Sequence, residues 1–367
     1  MQKILIRSLL GAVFAVGLAF PVAASAQSSY TIIDLGTFGG NFSEAFGISP
    51  GGFVTGDANL STSSTQHAFL YDGKVKSDLG TLGGTNSTGY GVNDSGQVAG
   101  VSDLKTAGTT HAFRHDSTGM HDLGTLGGGN SEGMAINANG QVTGDADLAD
   151  NANHAFRYDS SGMHDIGTLG GRFSNGVGIN ASGQITGSSI LSDNFTIHAF
   201  RYDNNGMHDL GSLGGTRSYG YSINTGGQVT GYSAIANNAA SHAFRADDTG
   251  IHDLGTLGGS SSFGEGINDS GTIVGQSYIA NGTIRAFYAN GNTMTDLNTL
   301  LPAGSGWQLS DAYAINNNGW IVGEGSINQE GHAFLLKPTA VPAPSSLLIM
   351  GIGGMLLAGR VRRRKRR

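Results

Sequence analysis

Between positions 176 and 210, apolar and polar residues alternate in short runs separated by turn-forming residues. Gly176 to Asn180 (GVGIN), Gln184 to Gly187 (QITG), His198 to Tyr202 (HAFRY) and Met207 to Leu210 (MHDL) each read as a short β-strand. Ala181-Ser182-Gly183 and Asp203-Asn204-Asn205-Gly206 read as tight turns, with Asn or Asp bonding nearby backbone and Gly taking a positive φ. Ser188 to Ile197 reads as the loop between the second and third strands. No helical period is found in the body of the chain.

This pattern recurs. Asp34, Asp78, Asp122, Asp165, Asp209, Asp253 and Asp296 follow one another at intervals of 43 or 44 residues. A module repeated seven times at that period is a tandem architecture. Four antiparallel strands per module predict an all-β, seven-bladed β-propeller. The ends are out of phase: Tyr30 to Gly36 matches a fourth strand, and Ala312 to Leu336 matches the first three. One N-terminal strand therefore completes the last blade and leaves no exposed sheet edge. The alternative is an open β-solenoid, which would call for distinct polar caps.

Three columns of the repeat carry polar groups. The Asp column is complete. The His column holds His67, His111, His154, His198, His242 and His332, with Arg285 in the remaining place. The Ser column holds Ser43, Ser87, Ser131, Ser174, Ser218, Ser262 and Ser310 and is expected to open each first strand. Catalysis needs one converging constellation, whereas these groups repeat around a ring. Arg285 cannot ligate a metal but can donate hydrogen bonds. The Asp residues are therefore read as structural, bonding the Gly-rich connection to the next blade, with His or Arg and Ser as candidate partners. Each network is worth ~1–3 kcal/mol if its bonds are buried. No catalytic, metal or cofactor residue is assigned. The Asn-Asp-Ser-Gly and Asp-Ser-Ser-Gly turns lack the oxygen spacing of an EF-hand, which leaves weak calcium binding as the one open ion.

Function is expected where the repeats differ. The segments DANLSTSSTQ, VSDLKTAGTT, DADLADNAN, SSILSDNFTI and YSAIANNAAS vary widely, and variable loops on a rigid scaffold suit binding. Glu265 also stands apart, because its counterparts are Phe46, Tyr90, Met134, Val177, Tyr221 and Tyr313. A carboxylate in an apolar column needs water or a partner, which makes Glu265 a candidate ligand contact.

Composition adds constraints. The 62 glycines recur at fixed offsets, which marks a turn-dense fold rather than a linker. The absence of Cys excludes disulfides, a thiolate nucleophile and Cys-ligated zinc. Lys3, Arg7, the apolar run Leu9 to Phe20 and Ala24-Ser25-Ala26 form a signal peptide over residues 1–26, cut between Ala26 and Gln27. Residues 27–338 are the propeller and 339–367 a tail. The tail carries Pro342-Ala343-Pro344, an apolar run from Leu347 to Gly359 and a basic end. That run is short of the ~20 residues of an unaided span, and its basic end is expected to stay cytoplasmic. Without these ends the body has 11 basic residues against 27 acidic ones, a net charge of −16. Such a surface repels nucleic acid and anionic membranes.

The layout of Val341 to Arg367 resembles the PEP-CTERM sorting signal of Gram-negative bacteria, with Ala343 where that family usually has Glu. The resemblance implies export, transient anchoring in the inner membrane and processing by an exosortase-like enzyme. The His-Ala-Phe tripeptides and the Asp-Leu-Gly-Thr-Leu-Gly-Gly runs resemble the HAF family of extracellular repeats over residues 30–336. Together these imply a cell-surface or extracellular protein of the exopolysaccharide or biofilm matrix. The expected function is a non-enzymatic binding scaffold for a polysaccharide or protein ligand. Two alternatives stand beside it. One is an extracellular glycan-active enzyme, which would need paired carboxylates. The other is a purely structural or adhesive spacer.

Overall fold

The computed structural model describes residues 30–61 and 65–339. The Ala26–Gln27 cleavage site, Pro342-Ala343-Pro344 and the rest of the tail lie outside the described residues. Blade 4 shows the common plan. Gly170–Ile179, Ile185–Leu191, Ile197–Asp203 and Gly206–Asp209 pair antiparallel in that order. The plan recurs around a seven-bladed ring. In the last blade Gln308–Ile315, Ile321–Ile327 and Glu330–Pro338 are completed by Tyr30–Asp34, with Tyr30 opposite Pro338 and Asp34 opposite Phe334. The N-terminal strand thus closes the ring, and a solenoid is excluded.

The strands are longer than the side-chain pattern predicts. The first strand of blade 4 starts at Gly170 rather than Gly176, so Ser174 lies inside it and does not open it. The second runs to Leu191, so Ser188 to Leu191 is strand rather than loop. Backbone pairing explains both differences. Ser174 faces Ser189, and Asn175 faces Ser188, which satisfies main-chain groups whatever side chains they carry.

Packing between blades uses the third residue of each His-Ala-Phe or Arg-Ala-Phe. Phe69, Phe113, Phe156, Phe200, Phe244, Phe287 and Phe334 are all fully buried. Gly187, in the second strand, is required by close approach. A Cβ there would stand 1.8 Å from the carbonyl oxygen of Asn175 on the first strand. The Asn-x-x-Gly turns form a second system of ties. Asn180 Oδ1 accepts from the amides of Ser182 and Gln184, while its Nδ2 donates to the carbonyl of Asn224 in the next blade. Gly183 takes the expected positive φ of 78°.

Candidate functional site

The Asp, His and Ser columns lie on the face where blades are connected. Asp165 Oδ1 accepts from the amide of Gly167 at 2.7 Å, and both its oxygens lie 2.9 Å from His154 Nδ1. His67 with Asp78, His111 with Asp122, His198 with Asp209 and His242 with Asp253 repeat this, and His332 meets Asp34 across the closure. Arg285 takes the role of His opposite Asp296, with Nε at 3.8 Å. Ser174 does not touch Asp165. Its hydroxyl donates to the carbonyl of Gly167 at 2.6 Å and accepts from the amide of Ala155 at 2.9 Å, tying two blades together. Ser310 departs from the column and donates to the carbonyl of Glu324, where a 3-10 turn, Leu297–Leu300, replaces the usual connection. These groups form a repeated joint and converge on no common point.

The turn aspartates are also occupied. Asp159 Oδ1 accepts from the hydroxyl and amide of Ser161, which hold its carboxyl down to about 2. Among the described residues no group of three or more His, Cys, Asp or Glu is placed to hold a metal ion.

Convergence occurs at the centre of the ring. Each first strand carries a β-bulge; in blade 6 the register shifts between Gly264 and Gly266, leaving Glu265 unpaired. A bulge re-aims its extra side chain. Here it turns the whole column that contains Glu265 into a central cavity of about 610 Å³. Asp311, from blade 7, lines the same cavity and is buried, with no hydrogen-bond partner on Oδ1. Burial pushes the carboxyls of Glu265 and Asp311 up, and Glu265 raises Asp311 further.

Two sectors of side chains adjoin this cavity through Tyr313 and Tyr221. One is acidic. Glu44 accepts from the Tyr313 hydroxyl at 3.0 Å and shares a hydrogen bond with Glu324. Burial lifts Glu324 to about 7 and Asp57 to about 7. Asp57 Oδ2 accepts from Thr88 and Gln66, while Oδ1 has no partner. In blade 3, Glu132 is raised by burial and Asp145 rises to about 6. The opposite sector is aromatic. Tyr219 and Tyr232 stack with centroids 4.8 Å apart, and Phe263 meets Tyr232 edge-on at 4.8 Å. They line a cleft of about 510 Å³ with Arg217, Asn238 and Phe195, whose side chain is 64% exposed. Tyr232 also contacts Tyr221 of the central cavity, with centroids 5.6 Å apart.

The sequence singles out Glu265, which lines the cavity, but not these sectors. Their residues follow each Ser of the Ser column, as Glu44, Glu132, Tyr219, Phe263 and Asp311 do, or sit opposite on the second strand. Asp57, Asp145 and Tyr232 open the segments read as variable loops. The signal was present as variation beside an invariant Ser.

One solved structure bears on the fold. The chain is similar to the β-propeller domain of the trilobed protease from Pyrococcus furiosus, at 10% identity and TM-score 0.53, over 83% of this chain and 100% of that domain. A putative TolB from Agrobacterium tumefaciens matches at 13% identity and TM-score 0.45, over 86% of this chain and 99% of that one. No family model matches the chain, and no curated protein matches it. The first of these structures, with the seven four-stranded blades, shows a β-propeller.

Proposed function

We propose that this protein is an exported binding propeller whose ligand is an extracellular glycan, seated in the aromatic cleft of blades 4 to 6. The observation that carries this reading is the group Tyr219, Tyr232 and Phe263 beside exposed Phe195, flanked by Arg217 and Asn238. Aromatic faces stack on the C–H faces of sugar rings, while a few polar groups fix orientation. Tyr219, Tyr232 and Phe263 are half-buried and Phe195 is exposed, and exposed apolar surface beside polar groups marks a binding site. The signal-peptide pattern and the tail support a route through the inner membrane, with an exosortase-like enzyme releasing the body at the cell surface. A glycan array followed by calorimetry on Tyr219→Ala and Phe195→Ser tests the reading. Binding that both variants leave unchanged would place the ligand elsewhere.

One observation favours an enzyme as the second reading. Asp311 is buried and Glu265 half-buried, and both face one cavity; paired carboxyl groups are what glycoside hydrolysis requires. Product release from the array-identified glycan, abolished by Glu265→Gln, would establish it.

A further inference from the structure

The central cavity holds two carboxyl groups and no basic side chain among its described lining residues. Asp311 is 5% exposed and lines the cavity, and its Oδ1 has no hydrogen-bond partner. Glu265 faces the same space from the neighbouring blade, and no Lys, Arg or His is among the described residues that line it. A buried carboxyl of this kind stays protonated unless a cation arrives to pair with it. Aromatic rings line the same cavity as the pair. Phe46 lies 4.9 Å from Tyr313 and 5.3 Å from Tyr90, centroid to centroid, and all three line the cavity.

Carboxyl groups and aromatic rings in one cavity supply both halves of an ammonium site, namely charge pairing and cation–π attraction. A metal ion fits less well, because no three ligating side chains are grouped among the described residues. The cavity is also of a size for a small organic group. Tyr232 joins it to the glycan cleft, touching Tyr221 on the cavity side and Tyr219 and Phe263 on the cleft side.

We propose that the central cavity binds a primary ammonium group at Glu265 and Asp311, and that the glycan held in the adjoining cleft carries unacetylated amino sugars. The second half rests on the glycan reading above; the first half does not. Binding forms no covalent bond. Each carboxyl that ionises to meet the ammonium group gives its proton to the buffer. The other titratable groups facing the cavity or the adjoining cleft are Glu44, Glu324, Tyr90, Tyr219, Tyr221, Tyr232 and Tyr313, with Asp57, Glu132 and Asp145 in the acidic sector. Arg217, beside Tyr232 in the cleft, is the basic group among them.

The test is calorimetry on the body of the protein at pH 7 and low salt. The probes are 1,6-diaminohexane, glucosamine hexaose and N-acetylglucosamine hexaose, and the variants are Glu265→Gln and Asp311→Asn. The diamine is expected to bind wild type and to lose about tenfold or more in affinity in either variant. Its apparent heat should change with the ionisation enthalpy of the buffer, because protons are released. Glucosamine hexaose should bind about tenfold tighter than its acetylated form, and the variants should erase that preference. If Asp311→Asn does not fold, Glu265→Gln alone decides. A diamine that does not bind, or binds both variants like wild type, overturns the ammonium site even if both hexaoses bind. A diamine that behaves as expected while neither hexaose binds sustains the ammonium site and overturns the glycan assignment.

Discussion

The side-chain amide of Asn316 donates to the carbonyl of Ser49 at 3.0 Å, across 267 positions of sequence. Asn93, Asn137, Asn180, Asn224 and Asn268 each reach the next blade in the same way. Ser49 has no amide to pass on, so the tie between blades 1 and 2 is made differently, with Asp94 accepting from the amide of Gly51 at 2.6 Å. The ring is therefore joined on its turn face by side chains and closed on its outer edge by Tyr30–Asp34.

Closure gives the first prediction. Deleting Tyr30 to Gly36 removes the outer strand of blade 7 and the partner of His332. The edge of Glu330–Pro338 is then free to pair with other chains. Aggregation, or a broad and non-cooperative melt, is expected by calorimetry. A melt like that of the full body would show that the strand does not hold the ring.

The second prediction separates the repeated polar columns. The Asp165 side chain is 36% exposed, so its bonds compete with water and Asp165→Ala should cost only about 1 kcal/mol. Ser174 is 3% exposed and bonds two blades, so Ser174→Ala should cost about 1–3 kcal/mol. Chemical denaturation of the two variants measures the order. A larger loss at Asp165 would reverse this assignment.

What the sequence reveals and hides follows from the same geometry. The period, the closure phase and the Asn-x-x-Gly turns were legible because they rest on residues repeated around the ring, the turn Asn in every blade but the first, where Ser49 stands. The strand ends were not, because Ser188 and Asn175 pair through backbone while their counterparts are Tyr232 and Tyr219 in one blade and Asp57 and Glu44 in another. Glu265 stood out as the one carboxylate in its column. That the column points inward depends on a bulge, which leaves no mark in side-chain alternation.

Gly187 supplies the third prediction. A methyl group there meets the Asn175 carbonyl oxygen at 1.8 Å, and the contact is backbone, so neither side can rotate away. Gly187→Ala should yield insoluble protein or a strongly lowered melting temperature. Gly206→Ala is the contrast: its φ is 111°, but nothing lies within 4 Å of an added Cβ, so the cost is confined to backbone strain. Equal loss in the two variants would contradict the close-approach argument.

The fourth prediction concerns pH. Asp57 rises from 3.8 to about 7, Asp145 to about 6, and Glu324 from 4.5 to about 7, each through burial. Between about pH 4 and 7 the folded protein keeps these protons while the unfolded chain has lost them. The folded state binds more protons, so stability falls as pH rises through that window. Asp159 and Asp247 are lowered to about 2, so their stabilisation is lost only below the ordinary 3.8, beneath the window. The melting temperature should be higher at pH 5 than at pH 8. A melting temperature that climbs from pH 5 to pH 8 would mean the acidic sector is better solvated than its burial indicates.

The binding account is tested most directly by titrating one array-identified glycan into wild type, Tyr219→Ala, Phe195→Ser and Asp165→Ala, with a melt of each. Phe195 is largely exposed, so its variant should melt like wild type. The account predicts that Tyr219→Ala and Phe195→Ser weaken binding about tenfold or more, while Asp165→Ala lowers stability and leaves affinity unchanged. Affinity that survives both aromatic variants and is lost in Asp165→Ala would contradict it.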